Sequence, residues 1–215
     1  VEIYETEEEQ VAALKAWWKE NGKATMIGLG LGVAVILGWN YWRDYKKDRA
    51  VQASALYSQL LKAVEAGKND SIEKLSERME TQFNGTDYAA YSGLMAAKVK
   101  ARQGDLAGAK GILEKIAAES NKELSNIARI RLVRLMLANK EYEQGLKLIN
   151  DVDPAASASF SGHYDELVGD LYVALDRLDQ ARTSYESALR NGSQSPLLQM
   201  KIDDLTLPEK VESKK

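Results

Sequence analysis

Cysteine is absent from the 215-residue chain. Disulfides, thiolate-held metals, iron–sulfur clusters and cysteine nucleophiles are therefore excluded. The absence is compatible with an oxidising compartment without identifying one. A single histidine, His163, excludes a multi-histidine metal site within one chain. Proline occurs only three times, so the residue that most often interrupts helices is scarce. Neither sign of charge dominates. The net charge is −3 and the isoelectric point about 5.4, and the basic footprint of a nucleic-acid-binding protein is missing. No Gly-Lys-Ser/Thr phosphate loop and no nucleophile elbow occurs. His163 stands beside Tyr164 and Asp165 near a helix start. It reads as a surface or capping residue, because a general base needs a neighbouring nucleophile. Asp203-Asp204 read as solvated helix-end charges rather than a metal site. No enzyme activity, cofactor, metal or small-molecule substrate is expected.

Apolar and helix-forming residues are plentiful. The chain is 45% hydrophobic and 28% charged, which supports a core and rules out wholesale disorder. Its richness in Ala, Leu, Glu and Lys favours helices. The strongest local signal is Ala24 to Trp42, 19 residues without a charge, bounded by Lys23 and Arg43. A helix of that length covers roughly 28 Å, close to the hydrocarbon core of a bilayer. Trp17 and Trp18 precede the run, and Trp39, Tyr41 and Trp42 close it. Such rings settle at membrane–water interfaces, so Trp17, Trp18, Trp39 and Trp42 are the expected anchors. A cleaved signal peptide would have a shorter apolar stretch followed closely by small residues. Here Ala53-Ser54-Ala55 comes only after the charged run RDYKKDR, so an uncleaved anchor in the lipid bilayer is expected. Gly28 and Gly32 share one helix face and let a second helix approach, although glycine is also common in membrane helices generally. Three lysines before the run and four basic residues after it leave orientation open. Val11, Leu14 and Trp18 predict a short amphipathic surface helix that breaks at Asn21-Gly22.

The remainder is polar and repetitive. Leu106, Ala109, Leu113 and Ile116 lie on one helical face, as do Tyr142, Gly145, Ile149 and Val152, and then Leu178, Ala181, Tyr185 and Ala188. Each set follows the last by 36 residues, and Ile72, Leu75 and Met79 form a weaker copy 34 residues before the first. Each set follows a polar break and another apolar-periodic stretch. Helix, tight turn, helix is the unit of a tetratricopeptide repeat. The last copy matches best. Gly169 and Ala181 are the small residues where its helices cross, and Tyr172 and Tyr185 fill the gap between units. Ala109 and Gly145 occupy the corresponding small positions in earlier copies. Asp153-Pro154 marks a helix start, Gly192 ends the last pair, and residues 196–205 supply a final short helix. The fold class is therefore all-α: a single N-terminal transmembrane helix followed by a tetratricopeptide-like helix-pair solenoid. Its expected parts are a tail at 1–23 with the amphipathic helix, the span at 24–42, the repeat domain at 43–207 and a loose tail at 208–215.

The segments EIYE (2–5), Gln10-Val11, ENGK (20–23), GWNYW (38–42) and QMKIDDL (199–205) make the chain resemble the YfgM family over nearly its whole length. Val1 stands where that family has its initiator methionine, so an alternative start codon is expected. The resemblance implies a bacterial inner-membrane protein with one span, a cytoplasmic N-terminus and a periplasmic repeat domain. It implies two partners, the SecYEG translocon and a membrane-anchored periplasmic chaperone, PpiD, and a role in handing translocated envelope proteins to chaperones. It implies no catalytic residues. A regulatory alternative has the N-terminal segment tethering a cytoplasmic stress-response factor. Alkaline extraction of membranes is expected to leave the intact chain in the pellet. Recovery of the full-length chain in the soluble fraction overturns the span at 24–42.

Overall fold

The computed structural model describes residues 7–118 and 121–206, and every regular element among them is a helix. The EIYE segment and the 208–215 tail lie outside the described residues. Contacts divide the chain into two units, residues 1–52 and 53–215.

The first unit belongs to helix α1, Glu7–Glu65. The expected break at Asn21-Gly22 does not occur. The Asn21 side-chain amide donates to the Trp17 carbonyl at 3.2 Å, and the Thr25 hydroxyl donates to the Asn21 carbonyl at 2.9 Å. The Trp18 indole lies over Gly22, where an added Cβ would meet it at 3.1 Å. Local bonding and ring cover thus carry the helix through a pair that elsewhere marks a turn. Beyond it the apolar run is bare. Almost none of it is buried, whereas a soluble core helix would be covered. This helix is long and apolar enough to cross a membrane. Among the described residues, nothing beyond the helix's own nearby backbone lies within 4 Å of a Cβ added at Gly28 or Gly32. Trp17 and Trp18 are neighbours at one end, with ring centroids 6.2 Å apart, and Trp39 and Trp42 at the other, 5.4 Å apart. The Lys46 ammonium sits 3.9 Å from the Trp42 ring centroid.

The second unit begins with the end of α1, whose Ala53, Leu56, Leu60 and Ala63 are buried. Then follow α2 (Asn69–Phe83), α3 (Asp87–Gln103), α4 (Leu106–Ala117), α5 (Lys122–Ala138) and α6 (Tyr142–Asn150). A single turn α7 (Pro154–Ser157) and a 3-10 turn precede α8 (Ser161–Ala174), α9 (Leu178–Arg190) and α10 (Leu198–Thr206). The end of α1 packs in one cluster with α2 and the start of α3, and the pairs that follow are α3 with α4, α5 with α6, and α8 with α9, with α10 against the last. The tight turns share one device. Gly67, Gly104, Lys140 and Asp176 all have φ between 58° and 87°. Gly104, Lys140 and Asp176 recur at the repeat's own 36-residue interval. The left-handed residue reverses the chain in one step and is natural for glycine. Lys140 and Asp176 adopt it at a steric cost that the surrounding pair must offset.

Two sequence expectations shift. Val152 falls in the turn after α6 rather than on its face, and Leu178 is 44% exposed at the start of α9. Asp153 does cap a helix at Pro154, its carboxylate accepting from the Ala155 N–H at 3.0 Å, but that helix lasts one turn before α8 begins anew. Between packed helices, side chains are seated on missing ones. A Cβ on Gly93 would meet Ile116 Cδ1 at 2.9 Å, one on Gly145 would meet Leu171 at 3.1 Å, and one on Gly169 would meet the Tyr185 ring at 2.3 Å. Ala109 and Ala181 are fully buried. Tyr172 packs against both the α5–α8 cluster and the α9–α10 cluster. Gly169→Leu therefore forces α8 from α9 and is expected to cost roughly 1–3 kcal/mol. Thermal unfolding of the full chain in detergent, followed by circular dichroism, reads this as a lowered midpoint; an unchanged midpoint refutes the tight crossing.

Candidate docking face

The first helices of successive pairs touch: α3 packs on α5, and α5 on α8. The second helices, α4, α6 and α9, barely meet. The first helices therefore line the inside of the solenoid's curve, where a partner would lie. At its start the inner face is aromatic. Tyr57 on α1 stands 5.5 Å from Tyr88 and 6.1 Å from Tyr91 on α3, ring to ring. Burial first, then the other two phenols, raise the Tyr57 pKa. Tyr91 is 41% exposed, and Leu61 and Val64 on α1 are exposed near that level. Rings with one polar edge and an apolar body suit protein interfaces.

Further along, α3, α4 and α5 enclose a groove of about 490 Å³. Leu94, Ala97, Leu106 and Leu135 contribute its apolar lining, and Lys98, Arg131 and Arg134 its charge. An outer groove of about 540 Å³ opens between α2 and α4 over α3. Its lysines are already paired, Lys100 with Glu73 at 3.3 Å and Lys115 with Glu80.

The far end is tied down by a polar lock. Lys201 on α10 donates to Glu166 at 2.8 Å and to Asp170 at 2.7 Å, and the Tyr185 hydroxyl donates to Asp170 at 2.8 Å. Burial pulls the Lys201 pKa down, but hydrogen bonds and charges from Asp170 and Glu166 outweigh it and hold the ammonium above its ordinary value. Burial likewise pushes Glu166 up, and the hydrogen bonds and charge of Lys201, with Ser195 and Ser193, bring it below. Burial and then Asp170 raise the Tyr185 phenol. A second buried tie joins α5 to α8. The Tyr164 hydroxyl donates to Asn126 Oδ1 at 2.8 Å, and Asn126 Nδ2 donates to the Lys122 and Ala156 carbonyls. Burial pushes Tyr164 up to about 12, so it remains a donor.

Of the residues singled out in the sequence, Ala109, Gly145, Gly169, Ala181 and Tyr185 lie in the interior and Tyr172 is half-buried. The structure brings Gly169 to Tyr185, and Tyr172 to the Ala181–Tyr185 cluster. Gly28, Gly32 and the four tryptophans lie in the first unit. The groove cations and the polar lock went unnoticed in the sequence. Their only signal was position: Lys98, Arg134 and Asp170 recur at 36-residue steps. His163 is exposed, its ring 6.4 Å from that of Phe160. Among the described residues no cluster of three or more His, Asp or Glu side chains is placed to hold a metal.

Helix pairs of this construction define the class. Residues 15–207 match the family model described as a tetratricopeptide repeat-like domain. A solved structure, the MamA RS-1 ArsTM double mutant, shares the fold with a TM-score of 0.56 at 15% identity, covering 71% of this chain and 82% of that one. Similarity to curated proteins is closer. A Haemophilus influenzae protein is 32% identical over 203 residues, 93% of this chain and 97% of its own length. An Escherichia coli K12 protein is 30% identical over 211 residues, 96% of this chain and 100% of its own length. Both are named ancillary SecYEG translocon subunits. The chain belongs to this family, YfgM.

The lock carries a pH signature. Glu166, held below its ordinary value, stabilises the fold above the ordinary glutamate range, and that contribution is lost as pH falls through the lowered value. Lys201, held above, contributes below the ordinary lysine range and loses it as pH rises through the raised value. Glu166→Gln is expected to lower the unfolding midpoint at neutral pH by the equivalent of about 1–2 kcal/mol, with the gap closing in acid. Melting curves of both proteins across the acid range test this; a gap independent of pH refutes it.

Proposed function

We propose that the chain is a non-enzymatic, membrane-tethered docking scaffold of the bacterial inner membrane, associated with the SecYEG translocon. Residues 1–23 are its cytoplasmic tail, 24–42 its single transmembrane helix and 43–207 its periplasmic repeat domain. The repeat domain engages a PpiD-like periplasmic chaperone and assists the hand-over of translocated envelope proteins. The observation that carries this reading is the pairing of a bare apolar helix with a helix-pair solenoid in a family whose members are named for the translocon. The family resemblance supports the orientation, and a long domain translocates largely regardless of its own charges. The open faces of Gly28 and Gly32 leave room for a neighbouring membrane helix. Confinement in one membrane raises the effective concentration of the partners, so modest contacts suffice.

Affinity purification in mild detergent tests the assignment of roles. Deleting 68–192 is expected to abolish recovery of the chaperone. Gly28→Leu with Gly32→Leu is expected to weaken recovery of the translocon while the repeat domain stays folded. Wild-type recovery of both partners by the deletion variant transfers docking to the span or the N-terminal segment.

A further inference from the structure

The two grooves of the repeat domain are similar in size but opposite in electrostatic condition. In the outer groove, Lys100 and Lys115 are neutralised by Glu73 and Glu80. Among the described residues, no acid lines the inner groove. Among the described residues the side chains of Lys98 and Arg134 make no hydrogen bond or ion pair, and that of Arg131 makes a single bond, from Nη1 to the Leu94 carbonyl at 3.2 Å. Arg131 and Arg134 stand three apart on α5, where like charges repel. Lost hydration, then the Arg134 charge, lowers the Arg131 pKa. The repeat makes the arrangement legible: Lys98 on α3, Arg134 on α5 and Asp170 on α8 are the same position in successive units. In the third unit the charge is reversed and consumed by Lys201. The cationic stretch is therefore confined to the middle of the inner face. It has the exposed ring of Tyr91 two turns before Lys98 on α3 and the neutralised lock after it.

We infer that the α3–α4–α5 groove recognises an acidic peptide segment of a partner protein, one that places carboxylates on Lys98, Arg131 and Arg134 and small apolar side chains on Ala101, Leu106 and Leu135. This rests on the docking reading and names the chemistry of what docks. Guanidinium forks match carboxylates in a two-bond geometry, and all three cations are exposed to meet them. A bare phosphate would satisfy the charge but leave the apolar lining uncovered. A polynucleotide needs a long cationic track, and this one ends at Asp170. A groove of this volume, apolar with a few convergent polar groups, fits a short anchoring segment.

The test uses the full chain in detergent and a fluorescently labelled synthetic peptide alternating glutamate with alanine and leucine, followed by anisotropy. Expected are binding that weakens with salt and a loss of roughly tenfold when glutamine replaces glutamate. Lys98→Glu with Arg134→Glu, two residues without native partners, is expected to abolish binding of the glutamate peptide and to favour its lysine counterpart, with an unchanged circular dichroism spectrum. Absence of binding, equal binding of glutamate and glutamine peptides, or indifference to the double charge reversal overturns the inference. So does displacement by inorganic phosphate with no dependence on the apolar residues of the peptide. If the wild-type chain recovers the chaperone through its repeats yet ignores the acidic peptide, this site falls and the docking reading stands. If deletion of 68–192 leaves chaperone recovery intact while the peptide binds, the docking reading falls and the groove remains a peptide site.

Discussion

Three glycines receive the side chains of Ile116, Leu171 and Tyr185, two of them within a helix pair and one between neighbouring pairs. Two helices approach closely only where one offers backbone in place of a side chain, and the bulky partner then fills the notch. The Gly93 notch joins α3 to α4, the Gly145 notch joins α6 to α8, and the Gly169 notch joins α8 to α9. These notches set how closely α3 and α4, α6 and α8, and α8 and α9 approach. The polar ties are secondary. Asn126 with Tyr164, and Lys201 with Glu166 and Asp170, fix the register of helices that apolar contact has already brought together.

The architecture was legible because a repeat states its own period. Leu106, Tyr142 and Leu178 each open a helix 36 residues after the last, and that recurrence survives even where single positions mislead. Val152 and Leu178 fit the apolar spacing but lie at helix ends, where a side chain has half a neighbourhood to pack against. Asn21-Gly22 carries the composition of a turn and sits inside α1, because the Trp18 ring and the Asn21 amide supply what a turn would have supplied. Long-range polar partners were not legible. Tyr164 and Asn126 are 38 positions apart, and nothing in their local sequence announces a bond. The cations of the inner groove were hidden for another reason. Lys98, Arg131 and Arg134 look like ordinary solvated helix charges until the fold decides which helices face inward and which acids are already engaged.

Global balance of charge conceals local separation. The chain's acids and bases nearly cancel, so long-range steering of a partner is weak. Yet the repeat register places paired charges on the outer groove and unpaired ones within the inner groove. Selectivity in such a surface comes from short-range matching after encounter, which suits a protein held in the same membrane as those it meets.

The placement of the indoles has a spectroscopic consequence. All four tryptophans, Trp17, Trp18, Trp39 and Trp42, belong to the first unit, whereas seven of the ten tyrosines, from Tyr57 onward, belong to the helix pairs. Light absorbed selectively by indole therefore interrogates the apolar helix and its borders alone, and phenol emission interrogates mainly the repeats. One unmodified chain carries two optical reporters that divide along the boundary between its units. Quenchers placed in lipid or in water can thus follow the helix without interference from the phenols of the solenoid.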